Sequence, residues 1–244
     1  MENLYFRYER GRDVLKGINL TIDEEMFPLA IVGPNGSGKT TLLKNLLGIV
    51  KPRKGKVVVA GYDVIHLSGK KRAQVVGGVF AHSVNVARIP VIDVVLSGLY
   101  RDGSPLGGYP DSAMTKAEDV MHLLEITHLK HRLFSTLSSG ERQLILLAMV
   151  LVQQPLVLFL DEPTSFLDPY HRYILADIFK NRLKGHKIVF TSHDIEFIVA
   201  TAPFAVGIKN GKITYAGETS QFLQEGFKQV FEISFNEYVG VFRL

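Results

Sequence analysis

Two groups of residues have the types and spacing for chemistry on a phosphorylated substrate. The string Gly33-Pro34-Asn35-Gly36-Ser37-Gly38-Lys39-Thr40 fits the pattern G-x-x-x-x-G-K-[ST] and stands between the apolar run Leu29 to Val32 and a segment of helical spacing. In that setting the glycines let consecutive backbone N–H groups converge on phosphate oxygens, and the start of the following helix adds its positive dipole end. Lys39 is then placed to meet the β- and γ-phosphates and the Thr40 hydroxyl to ligate Mg²⁺, while Thr41 continues the loop into the helix. A glycine-rich turn with a chance lysine is the bland alternative, and the flanking strand and helix weigh against it.

The second group is Asp161-Glu162, which ends the apolar run Leu156 to Leu160. A strand of that kind in an open parallel sheet puts its last residues at the carboxyl edge, where ligands bind. Asp161 suits a water-mediated contact to Mg²⁺. Glu162 is placed to polarise a water aimed at a γ-phosphate, a general-base role worth typically about 10²–10⁴ in rate. By itself the pair reads equally well as an acidic loop solvating a strand end.

The elements that must position these residues follow from composition and periodicity. The chain has 244 residues, 46% hydrophobic and 21% charged, which excludes disorder, collagen and coiled coil and predicts a soluble globular protein. With no cysteine there is no disulfide framework, thiolate zinc site or cysteine nucleophile, which is compatible with a cytosolic protein. The net charge of +4 gives no reason to expect nucleic-acid binding. The longest apolar run, Leu144 to Val152, is far shorter than the roughly 20 residues that span a bilayer, and the first residues lack a basic leader, so work at a membrane would run through a partner.

Strands are expected at Ile18 to Ile22, Leu29 to Val32, Lys56 to Ala60, Leu156 to Leu160 and Lys187 to Thr191. Helices are expected over Lys39 to Leu47 and over Gly140 to Gln153. A further helix opens on a capping box at Thr115 to Glu118, with Val120, Leu123, Leu124 and Ile126 on one face, and another has Asp168 as N-cap and Pro169 at its first position. Ala205 to Ala216 reads as a hairpin turning at Asn210-Gly211, and Phe227 to Leu244 as a small β element. The expected fold is α/β: a P-loop NTPase core with a parallel sheet, an N-terminal antiparallel β subdomain and an inserted α-helical subdomain. Residues 1–81 and 156–225 would form the phosphate-binding core with the β subdomain, 82–155 the helical subdomain and 226–244 a C-terminal extension.

Leu137-Ser138-Ser139-Gly140-Glu141-Arg142-Gln143 lies about twenty residues ahead of Asp161-Glu162, and Thr191-Ser192-His193-Asp194 puts a histidine 31 residues beyond Glu162. Taken by itself, His193 reads as a polar cap on a strand. With these strings the sequence resembles the nucleotide-binding subunit of an ATP-binding cassette transporter. The resemblance covers roughly residues 1 to 225: Walker A at Gly33 to Thr40, signature at Leu137 to Gln143, Walker B at Leu156 to Glu162, D-loop at Ser165 to Asp168 and switch histidine at His193.

The resemblance implies a head-to-tail dimer, homodimeric or with another cassette, that sandwiches two ATP molecules with Mg²⁺. Ser138 and the Gly140 amide would meet the γ-phosphate from the opposite chain, with Ser139 and Glu141 beside them, and Tyr8 would stack on adenine. Packing as an ordinary strand residue is the alternative for Tyr8. Integral membrane subunits would hold the protein on the cytoplasmic face of the membrane and choose the substrate. Importer subunits are the nearest in kind, with metal-chelate, siderophore or cobalamin uptake as the implied subtype.

The chain departs from the family pattern in two places. Ser139 stands where a glycine is usual, and His82 stands where a glutamine would contact Mg²⁺, a role imidazole fills poorly. Both leave open a low-turnover module in which ATP chiefly holds a complex together; a cassette acting outside transport is the other alternative.

Overall fold

The computed structural model describes residues 1–9, 11–80, 88–99 and 109–242. In chain order the elements are β1 (Glu2–Phe6), β2 (Leu15–Ile18), β3 (Leu29–Val32), α1 (Lys39–Leu46), β4 (Lys54–Lys56), β5 (Val58–Val59), β6 (Tyr62–Asp63), α2 (Gly69–Val75), β7 (Val76–Phe80), α3 (Val91–Ser97), α4 (Asp111–Leu123) and α5 (Ser139–Leu151). Then follow β8 (Val157–Asp161), α6 (Pro169–Asp177), β9 (Lys187–Thr191), α7 (Ile195–Thr201), β10 (Phe204–Lys209), β11 (Lys212–Glu218), α8 (Thr219–Gln221), α9 (Phe227–Phe231) and α10 (Phe235–Phe242).

The central sheet has the order β11-β10-β3-β9-β8-β7. All its pairings are parallel except the β10–β11 hairpin. That hairpin turns at Asn210 and Gly211, both at positive φ, the geometry that an Asn-Gly pair supplies. Period-2 alternation divides the central strands between two cores. Ala30, Val32, Leu158, Leu160, Ile188 and Phe190 face one core with α3, α4 and α5, whereas Leu29, Ile31, Val157, Phe159 and Val189 face the other with α1 and the N-terminal strands. Burial on both faces is why these strands read as unbroken apolar runs. A second, antiparallel sheet β2-β1-β4 packs alongside, so the α/β class with a parallel core sheet and an antiparallel N-terminal sheet is as expected.

Four expectations are corrected. The strand expected at Ile18 to Ile22 lies earlier, over Leu15–Ile18, with Gly17 at φ +69 and a register shift in its partner at Leu4/Tyr5. The single strand expected at Lys56 to Ala60 is two, because β4 pairs with β1 and β5 with β6. Thr115 is inside α4, which begins at Asp111; its hydroxyl donates to the Asp111 carbonyl one turn back, and the buried face is Ala113, Ala117 and Met121. The C-terminal segment is helical. Phe222, Phe227, Phe231, Phe235 and Tyr238 recur at spacings of three to five, and Phe227 makes ring contacts with all four of the others. The alternation of Phe231, Ile233 and Phe235 is incidental to that spacing.

Candidate nucleotide site

Parallel pairing puts the last residues of β3, β9 and β8 side by side, with Ile31 opposite Thr191 and Asp161 opposite Thr191. The phosphate-type loop leaves β3 at this edge. A Cβ on Gly33 would sit 2.1 Å from the Ile208 carbonyl oxygen, so only glycine fits between the loop and β10. Gly38 has φ +110 and caps α1 without a side-chain hydrogen bond, leaving the first N–H groups of the helix free to face a ligand.

Lys39 is 7% exposed. Its Nζ donates to the Gly33 carbonyl at 2.8 Å and the Pro34 carbonyl at 3.3 Å, and lies 3.0 Å from His193 Nε2. Burial lowers the Lys39 pKa, opposed by Glu162 and Asp161. Burial also lowers His193, with the Lys39 charge adding to it. A neutral ring accepting from the ammonium at Nε2 carries its proton on Nδ1.

Glu162 stands at φ +50, in the left-handed region, and its Oε2 accepts from the His193 backbone N–H at 3.3 Å. Its Oε1 is buried and accepts no hydrogen bond, although His193 Nε2 is 3.1 Å away and Lys39 Nζ 4.0 Å. Burial raises the Glu162 pKa against the lowering effect of Lys39, which suits a group that must take a proton near neutral pH.

The Thr40 hydroxyl donates to Asp161 Oδ2 at 2.8 Å, and the Thr191 hydroxyl to Asp161 Oδ1 at 2.7 Å. One hydroxyl and one carboxylate are the oxygen donors that Mg²⁺ prefers, with phosphates and waters completing its shell. No cluster of three or more metal-ligating His, Asp or Glu residues occurs among the described residues.

A cleft of about 380 Å³ is lined by Asn35, Gly36, Gly38, Lys39, Thr40, Thr41, Glu162 and His193, together with Val14 and Ser165. Ser37, in the same loop, is buried with an unpartnered hydroxyl. Tyr8 is close by: its ring is 45% exposed and its hydroxyl is 3.3 Å from Thr41 Oγ1. Sequence reasoning singled out these residues except Val14, and it missed Thr191. That residue is fully buried; its hydroxyl also accepts from the Glu162 backbone N–H at 2.9 Å, so it ties the Asp161 carboxylate to the Glu162 backbone. The one signal was a polar residue ending an apolar strand.

The sequence profile of the ABC transporter family matches residues 15–165. The chain belongs to this family.

The ATP-binding subunit is 34% identical over 233 residues to the hemin import ATP-binding protein HmuV of Gloeobacter violaceus, covering 89% of this chain and 82% of that one. It is 31% identical over 221 residues to the energy-coupling factor transporter ATP-binding protein EcfA of Methanoculleus marisnigri, covering 88% and 76%. Among solved structures it superposes on an inward-facing ABC transporter assigned to the metal-chelate type with a TM-score of 0.80 and 30% identity, covering 96% of this chain and 88% of that chain. CbiO1 of Clostridium perfringens, part of the ABC transporter complex CbiONQ, gives 0.79 and 28%, covering 92% and 90%. These matches extend the P-loop cassette fold over 92–96% of the chain.

The signature residues lie elsewhere in the subunit. Ser138, Ser139, Gly140 and Glu141 line no part of the cleft. They open α5 in a capping box: Ser138 Oγ accepts from the Glu141 N–H, Glu141 Oε2 accepts from the Ser138 N–H at 2.7 Å, and Arg132 holds the other carboxylate oxygen at 3.0 Å. Asp168 caps α6 and accepts from both the His171 N–H and Nδ1. His82 lies outside the described residues. So do residues 101–108 of the Arg101 to Ser112 loop.

No helix among the described residues is long and apolar enough to cross a membrane.

Proposed function

We propose that this subunit hydrolyses Mg-ATP to power a membrane importer, with a second cassette completing each of two sites. The observation that carries this is a division of labour: the cleft gathers phosphate, magnesium and base groups, while the signature residues, preorganised by their capping box, stand apart from it. In the closed pair the Ser138 hydroxyl and Gly140 amide of one chain would face the γ-phosphate held by the other, with Ser139, Glu141 and Asp168 at the junction and Tyr8 on the adenine.

When bound, Mg²⁺ would neutralise phosphate charge beside Thr40 and Asp161, whose oxygens fit it. Lys39 releases His193 and turns its ammonium to the β- and γ-phosphates. Glu162 Oε1, unpartnered and buried, accepts a proton from the attacking water, and His193 orients the γ-phosphate. Thr191 keeps Asp161 and Glu162 in register throughout.

Kinship with HmuV and with the transporter assigned to the metal-chelate type supports the import direction and a chelate-like cargo selected by integral membrane subunits, on the face of the membrane where ATP is available. Co-purification with its membrane subunits, followed by steady-state ATPase with and without them, tests the proposal. It predicts turnover that rises when they are present. A chain that binds ATP but never turns it over, alone or with partners, would contradict it.

A further inference from the structure

Ser139 stands where the family usually has glycine, and its hydroxyl has found a partner across the fold. It donates to the Phe166 carbonyl oxygen at 2.8 Å, joining the first residue of α5 to the D-loop ahead of α6. Phe166 is at φ +65, a conformation that any residue with a Cβ adopts at a cost. The residue is 82% exposed, so burial of the side chain does not hold it there. A backbone hydrogen bond from Leu167 N to the Thr164 carbonyl sets the turn. The Ser139 hydroxyl ties down the carbonyl that this turn projects.

One residue along, the same seam is closed by packing. The His171 ring lies so close to Gly140 that a Cβ there would come within 2.2 Å of it. The ring is fixed by Asp168, whose carboxylate takes Nδ1 at 2.9 Å and the His171 N–H at 2.8 Å. The signature and the D-loop of one chain are therefore fastened twice, by Ser139 to Phe166 and by Gly140 to His171 and Asp168. A glycine at position 139 would leave the Phe166 carbonyl to water.

We infer that Ser139 is a positioning residue, whose hydroxyl straps the signature to the D-loop of its own chain so that both meet the partner's site as one unit. This rests on the two-chain site proposed above. Closure would shield the strap from water and strengthen it.

The absence of cysteine makes a clean test. Phe166→Cys carrying a nitroxide label reports D-loop motion in the full chain without nucleotide, so its result is independent of dimerisation and hydrolysis. Adding Ser139→Ala is expected to sharpen the spectrum, and Ser139→Thr, which keeps the hydroxyl, to leave it broad. Identical spectra for the parent and Ser139→Ala would overturn the strap, whatever the ATPase shows.

In the unlabelled chain, Ser139→Ala should lower kcat about three- to tenfold, the span of a single neutral hydrogen bond, with little change in KM and recovery in Ser139→Thr. A kcat unchanged in Ser139→Ala, or raised in Ser139→Gly, would overturn the positioning role even if the spectra support the strap. Absence of turnover in the parent would instead count against the proposed function.

Discussion

The ammonium of Lys39 lies 3.0 Å from Nε2 of His193, joining the glycine-rich loop after β3 to the segment that follows β9. The lysine donates there and to two loop carbonyls, so without nucleotide it serves acceptors with which phosphate oxygens would compete for the ammonium. Lys39→Ala should therefore remove the only lysine or arginine that lines the cleft among the described residues and weaken ATP binding by at least about a hundredfold, two charge-assisted hydrogen bonds' worth. A fluorescence titration with labelled ATP measures this, and unchanged affinity would refute the loop's role.

The same contact has a pH consequence. Burial and Lys39 lower the His193 pKa, so below about pH 6.5 the unfolded chain takes up a proton that the folded chain refuses. Stability must fall as pH drops from there toward the folded-state pKa. Denaturant unfolding at pH 7.5 and 5.5 should show a smaller acid loss in His193→Gln than in the parent. Equal losses would mean that the ring is already protonated when folded.

Glu162 shifts the other way. Its pKa is raised, chiefly by burial, and a base works only when deprotonated, so turnover should fall with acid from a point above the ordinary carboxylate range. A kcat profile whose acid limb lies at the unperturbed value of 4.5 would contradict the assignment.

Thr191→Val keeps the shape of a fully buried residue and deletes the hydroxyl that serves Asp161 and the Glu162 N–H. Leaving the Glu162 N–H unpaired, and Asp161 with the Thr40 hydroxyl alone, should cost about 1–3 kcal/mol in unfolding free energy. A change below about 0.5 kcal/mol, within the range of a neutral surface substitution, would show that this residue is not a lock.

How much of this was legible in the chain follows from how local each signal is. The glycine loop, the Asp161-Glu162 strand end, the Asp168-Pro169 helix start and the Asn210-Gly211 turn are set by residues within a few positions of one another, and the sequence displays them. Thr191, Ser139 and His171 act through partners that neighbouring residues do not disclose. Thr191 meets Asp161 across two strands, and Ser139 meets Phe166 across 27 positions. The C-terminal helices were missed for another reason. Three aromatic and aliphatic residues alternate over a short window, and the helical spacing becomes plain only when Phe222 and Phe227 are counted with them.

In the proposed cycle two chains close on ATP and hydrolysis at Glu162 then opens them. Glu162→Gln keeps the side chain's shape and removes the base. Analytical ultracentrifugation of this variant with saturating Mg-ATP, followed by assay of the nucleotide in the separated species, reads both closure and hydrolysis. The predicted result is a dimer retaining unhydrolysed ATP. A monomer that hydrolyses ATP at the parent rate would contradict it.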